Sequence, residues 1–200
     1  MRSSILMLVL LGVAQLTGCT GMKMMPAASQ TLAPLKSDES RIVFMRSASH
    51  GTGVEAGIYE VVNDKPEFIG ILLNDNKLYV DTTPGEHVYM SMGANLRFLK
   101  ANMRKGKTYY VMLVPRGSPV VNFSLYPFRA HGTGVFSLGS KEFNDWLSNT
   151  LLVEVGPDAR RWAKDIAPRV RENIMTEWPQ WLSKSDSSKI DNTLNPGDGL

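Results

Sequence analysis

From Arg41 to about Phe128 the chain is cut into short apolar stretches by clusters of turn-forming residues, and nowhere in this span does a helical period hold. Such alternation, repeated at roughly ten-residue spacing, confines the fold to a sandwich or barrel of short strands. Ile42, Val43 and Phe44 mark the first strand; Ile58 to Val62 follows, and Asn63-Asp64-Lys65-Pro66 reads as a turn into Phe68 to Leu72. Asn74-Asp75-Asn76 reads as a hairpin turn before Leu78-Tyr79-Val80, and Thr83-Pro84-Gly85-Glu86 turns the chain into Val88-Tyr89-Met90. Leu96 and Phe98 mark a weaker strand. Tyr109 to Val114 is apolar on both alternating faces, as a strand covered on both sides must be, and Val120 to Tyr126 completes the set before Pro127. The expectation is a mainly β chain: a single antiparallel β-sandwich of about seven or eight strands over residues 41–139 with a C-terminal α-helical extension.

The extension, residues 140–184, has a different period. Ser140 suits the cap of a helix from Lys141 to about Asn149, with Phe143, Trp146 and Leu147 on one face. A short apolar piece, Leu151 to Val155, precedes Gly156-Pro157-Asp158, where Pro157 fits a first helical turn. Trp162, Ile166, Val170, Ile174 and Trp178 then recur every four residues, with Trp181 and Leu182 beyond, and Pro168 is expected to kink this helix. The stripe has three readings: it covers the sandwich, it fits a protein partner, or it lies on a membrane with Arg160, Arg161, Lys164, Arg169 and Arg171 toward phosphates. The candidate partner or membrane residues are Trp162, Arg169, Trp178 and Trp181. Residues 185–200 are dominated by small polar side chains and read as a disordered tail.

At the other end, Arg2 precedes an apolar run from Ile5 through Ala14, too short for the roughly 20 residues a spanning helix needs but suited to an export signal. The run closes on Leu16-Thr17-Gly18-Cys19, which resembles the processing site of bacterial lipoproteins and holds the chain's single cysteine. The resemblance implies that residues 1–18 are a removed signal and that Cys19 becomes the lipidated first residue of the mature protein. Two or three acyl chains hold a protein on a bilayer essentially permanently. In that family an aspartate after the cysteine favours the inner membrane; Thr20 and Gly21 stand here, which implies the outer membrane, facing the periplasm, with the inner membrane the lesser alternative. Residues 19–40 contain two prolines and no apolar period, and read as a flexible tether in which Met22, Met24 and Met25 are mobile or dip into the interface.

Within the β region, Arg41-Ile42-Val43-Phe44, Phe68-Ile69-Gly70, Leu78-Tyr79-Val80-Asp81, Pro84-Gly85-Glu86-His87 and Gly106-Lys107-Thr108-Tyr109-Tyr110-Val111 resemble the bacterial lipoprotein family described as domain of unknown function 2846. That family is similar to the transthyretin-like sandwiches of carboxypeptidase regulatory domains. The resemblance spans Arg41 to about Phe128, implies a sandwich, and says nearly nothing of chemistry.

One short repeat invites a functional reading. His50-Gly51-Thr52-Gly53-Val54 recurs as His131-Gly132-Thr133-Gly134-Val135. Glycine-flanked amides can cradle an anion or partner, and two histidines brought together can hold a metal, whereas the plain alternative is a pair of connecting loops. His87 is expected on the surface, and Asp75 lacks the glycine and glutamate of a calcium loop. Nucleophile-elbow, zinc-protease and Ser-x-x-Lys patterns are missing from the sequence, so no catalytic residue, cofactor or metal is assigned. The 22 basic against 19 acidic residues leave no excess suited to nucleic acid. The expected function is a lipid-anchored, non-enzymatic envelope module that binds or scaffolds another envelope protein. The alternatives are a hydrolase or metal-dependent enzyme built on the paired His-Gly-Thr-Gly loops, and a docking lipoprotein of a secretion apparatus acting through its helix.

Overall fold

The computed structural model describes residues 23–200; Leu16, Thr17, Gly18, Cys19 and Met22 lie outside the described residues. The strands are β1 (Met24–Pro26), β2 (Ser40–Arg46), β3 (Ala56–Val62), β4 (Lys65–Leu72), β5 (Asn76–Thr82), β6 (Gly85–Met92), β7 (Leu96–Met103), β8 (Thr108–Arg116) and β9 (Asn122–Pro127). Then come helix α1 (Lys141–Asn149), β10 (Leu151–Val155), helix α2 (Pro157–Leu182), the short helix α3 (Asp186–Lys189) and β11 (Thr193–Leu194). They form two sheets, in the orders β1-β10-β5-β2-β8-β9 and β11-β7-β6-β3-β4, packed face to face as a sandwich.

Two details differ from the expected antiparallel set. There are 11 strands among the described residues, and β2–β8, β10–β5 and β11–β7 pair parallel. Parallel neighbours need long crossovers, and all three pairs join segments far apart in sequence. Asn63 and Asp64, at φ +50° and +61°, make the two-residue turn whose twist suits a β3–β4 hairpin. Asn74-Asp75-Asn76 is not a hairpin. Arg46 takes the carbonyl of Leu72 at the end of β4, and the chain passes to the other sheet, where Asn76 pairs with Arg46.

Side-chain alternation explains the layers. In β2, Ile42 and Phe44 join Ile58, Tyr89, Leu99, Val111 and others between the sheets, whereas Val43 and Met45 face outward with Tyr110 and Met112. That outer face is covered by Phe143 and Trp146 of α1, whose start is capped by the Ser140 hydroxyl accepting from Phe143 N at 3.0 Å. The outer face of the second sheet, Tyr59, Met90, Met92 and Phe98, is covered by Val170, Ile174 and Trp181 of α2. Each fully buried side chain of this size contributes about 1.5–3 kcal/mol. The order is therefore helix, sheet, sheet, helix, and α2 runs as one helix through Pro168 and Pro179. Gly57 admits Trp162 against β3: a Cβ there would meet the indole at 3.1 Å.

Two segments read as unstructured are built into the fold. From Met24 onward the supposed tether lies on the sandwich: Met24 is buried, β1 pairs with β10, and the Gln30 amide satisfies both backbone groups of Leu152 at 3.1 and 2.8 Å. The exposed edge of β10 supplied partners that composition does not reveal. The supposed tail is fixed as well. Leu194 is fully buried beside β7, Asn195 and Asp198 form a reciprocal cap, and Leu200 exchanges two backbone hydrogen bonds of 3.0 Å with Thr108. Gly199 permits this: a Cβ would stand 2.8 Å from the ring of Tyr109. Three large apolar residues, Ile190, Leu194 and Leu200, are too few to register in a compositional reading, yet one buried leucine and a set of directed hydrogen bonds suffice.

Candidate functional site

The two His-Gly-Thr-Gly loops do not meet. The first follows β2, where His50 Nε2 lies 3.1 Å from the Pro115 carbonyl, and Gly51, at φ +65°, gives its carbonyl to Arg46. The second follows β9, whose end is fixed by Phe128 N donating to Tyr110 O at 3.0 Å. Pro115 and Tyr110 are five residues apart along β8, so at about 3.3 Å per residue the ladder holds the loops roughly 17 Å apart along the strands. His131 is exposed, and Gly134, at φ +79°, opens a turn over residues 134–137 closed by Ser137 N donating to Gly134 O. Gly53 and Thr52 have open surroundings, whereas a Cβ on Gly132 would meet Arg129 at 2.6 Å. A bis-histidine centre shared between the loops would need both at one end of the β8–β9 ladder, and their anchors stand at opposite ends of it. Among the described residues no three His, Cys, Asp or Glu side chains converge as a metal set.

The aromatic stripe of α2 is turned onto the sheet. Trp162 packs on Phe68 with ring centroids 6.1 Å apart, and Trp178 and Trp181 stack at 5.0 Å against Phe98. Trp178 Nε1 donates to Asp64 in the β3–β4 turn at 2.8 Å, and Arg169 donates to the Gly93 and Ala94 carbonyls at 3.1 and 3.2 Å. These four candidates tie the helix to the sandwich. The solvent side of α2 instead carries Arg160, Arg161, Lys164, Arg171 and Met175, the last 73% exposed. Among the described residues no helix is long and apolar enough to cross a membrane.

Sequence reasoning missed a set of buried charges. Arg41 is 2% exposed and grips Asp81 through Nε at 2.5 Å and Nη2 at 2.8 Å, which raises its affinity for the proton. Lys77 donates to the Leu147 and Thr150 carbonyls at 2.7 Å each, pinning the end of α1 to β5, while burial lowers its pKa. Arg46, fully buried, donates to the carbonyls of Gly51, Val54 and Leu72. Burial brings its pKa down to about 10. A basic residue at either end of an otherwise apolar strand, as in Arg41 to Arg46, is the only sequence signal for this pattern.

His87 is also not the surface residue expected. Its Nδ1 stands 2.6 Å from Glu60 and its Nε2 2.8 Å from the Thr83 carbonyl, because β6 pairs with β3 and brings the two side chains together. Two acceptors satisfy both nitrogens only when the ring is the imidazolium, and the hydrogen bond to Glu60 raises its pKa above 6.5, against a smaller opposing effect of burial. The stabilisation is therefore complete below the unfolded value near 6.5 and is lost as pH rises through the folded value. Unfolding free energy is expected to fall between pH 6 and pH 9 by on the order of 1 kcal/mol more in the native protein than in His87→Gln, measured by urea titration at each pH. Equal pH dependence in both proteins would remove this ion pair from the account.

Arg41, Arg46, Lys77 and His87 each direct hydrogen bonds into the fold, although Arg46 Nε is left without a partner among the described residues. A scan against models of known protein families finds no match to this chain, and a search of curated proteins finds none either.

Proposed function

We propose that this chain is a lipid-anchored lipoprotein of the outer membrane, facing the periplasm, in which a helix-covered sandwich binds or scaffolds another envelope protein without catalysing a reaction. The observation that carries the reading is Leu16-Thr17-Gly18-Cys19 closing an apolar export run. The resemblance to the domain of unknown function 2846 family belongs to the same proposal, and the dispersal of the two histidine loops favours a binding module over the hydrolase alternative. The short distance from anchor to fold adds a geometric consequence. Lys23 is already held by Glu55 at 2.7 Å and by the backbone of Gly156, so four Cα–Cα steps, at most about 14 Å of extended chain, separate Cys19 from Lys23. The domain then rides close to the bilayer, with the first turns of α2 nearest to it.

The test is Cys19→Ser expressed in a bacterial host beside the native chain. The native protein is expected in the membrane fraction, with acyl groups in its intact mass, and the variant in the soluble fraction. A variant that still sediments with membranes, or a native chain without acyl groups, overturns the anchor.

A further inference from the structure

A groove of about 550 Å³ runs between α2 and the β3–β4 hairpin. Its origin is legible in the helix: Ala163, Ala167, Val170 and Ile174 share one face at steps of three and four. Val170 and Ile174 reach the sheet, whereas the two alanines are too small to do so and leave a trough opposite Phe68 and Pro66. Met175 borders it and is 73% exposed. Three cations, Lys65, Lys164 and Arg171, stand on its rim against one carboxylate, Asp64, which is already engaged by Trp178. Tyr59 lines the groove, only 3% exposed, and its enclosed hydroxyl has no hydrogen-bond partner among the described residues.

We propose that this groove binds one acyl chain of a free, anionic single-chain lipid, with the chain along Ala163, Ala167 and Phe68 and the acidic headgroup against Lys65, Lys164 and Arg171. An apolar floor calls for a hydrocarbon, the width left by two alanines admits a single chain, and a rim of three cations against one occupied carboxylate selects a negative head over a neutral one. The volume lies within the range of sites that bury small ligands. The inference is independent of the Cys19 anchor, since it uses only side chains of the sandwich and α2.

The full chain carrying Cys19→Ser, free of covalent lipid, is titrated with the fluorescent fatty acid cis-parinaric acid. Saturable binding at one per chain is expected, displaced by palmitate and about tenfold less well by uncharged hexadecanol. Ala167→Trp fills the trough and is expected to abolish binding. Exposed Lys164→Glu with Arg171→Glu is expected to weaken it about tenfold at unchanged melting temperature, which keeps the test valid if the tryptophan variant misfolds. No saturable binding, equal displacement by hexadecanol, binding unchanged in both variants, adsorption to anionic vesicles only, or occupation of the face by a second copy of the chain would each overturn the proposal.

Discussion

Arg46→Met is expected to lower the unfolding free energy by about 3–5 kcal/mol. The guanidinium is fully buried, it satisfies the carbonyls of Gly51, Val54 and Leu72, and it lies 4.5 Å from the centroid of the Phe123 ring. Methionine keeps much of the volume but withdraws the guanidinium from all three carbonyls; Gly51 O keeps the Val54 N–H at 3.0 Å, whereas the buried Leu72 carbonyl loses its bond to Arg46, and a buried group left unsatisfied costs about 1–3 kcal/mol. The residue keeps its charge at neutral pH even with a pKa near 10, so the carbonyl cage solvates a cation and not a neutral base. Arg46→Lys retains the charge but lacks the planar fork that reaches three acceptors, and an intermediate loss is expected. Urea midpoints at constant slope check the series. If Arg46→Met moves the midpoint by less than the equivalent of about 0.5 kcal/mol, the cage contributes no more than an ordinary surface position.

Deleting residues 185–200 is expected to cost at least about 4 kcal/mol or to prevent folding. Leu194 is fully buried in the inter-sheet core, and losing a buried leucine alone costs about 2–5 kcal/mol. The same cut strips Arg129 of Asp198 at 2.9 Å, of the Thr193 carbonyl and of the Ile190 carbonyl at 3.0 Å. It also frees the Tyr109 hydroxyl from Pro196 and the Leu125 carbonyl from Asn192. Amide exchange offers a second readout: Thr108 N is expected to lose protection in the shortened chain, because its acceptor is Leu200. A truncated protein as stable as the native one, within about 0.5 kcal/mol, would mean that the terminal segment adheres without contributing.

These two cases mark the border of what the residues disclose by themselves. Local periods were enough for α1, whose bounds and Ser140 cap agree with the spacing of Phe143, Trp146 and Leu147, and for the start of α2 at Pro157. They were enough for most strand positions too, because alternation is a property of neighbouring residues. They were not enough for partners. Nothing near Leu72 announces that β4 and β5 belong to different sheets, and nothing near Ser40 tells that β2 pairs parallel with a strand some 60 residues later. The same limit explains the site residues. His50 and His131 look matched in sequence, but their separation is set by the β8–β9 register, a long-range property. Ala163 and Ala167 were visible four residues apart, yet a trough exists only once Phe68 and Pro66 arrive opposite them. Glu60 and His87, 27 positions apart, are likewise an accident of the β3–β6 pairing.

The three-residue β1 has a mechanical meaning. It runs antiparallel to β10, with Met24, Met25 and Pro26 opposite Val155, Glu154 and Val153, and Ala27 continues the contact at Leu152. A pull on the chain ahead of Lys23, directed along β1, loads these rungs together as a clasp in shear instead of opening them one after another like a zipper. Tension from that end is then delivered to the rim of one sheet and to the first turn of α2 through Gly156, leaving the centre of the sandwich unstressed.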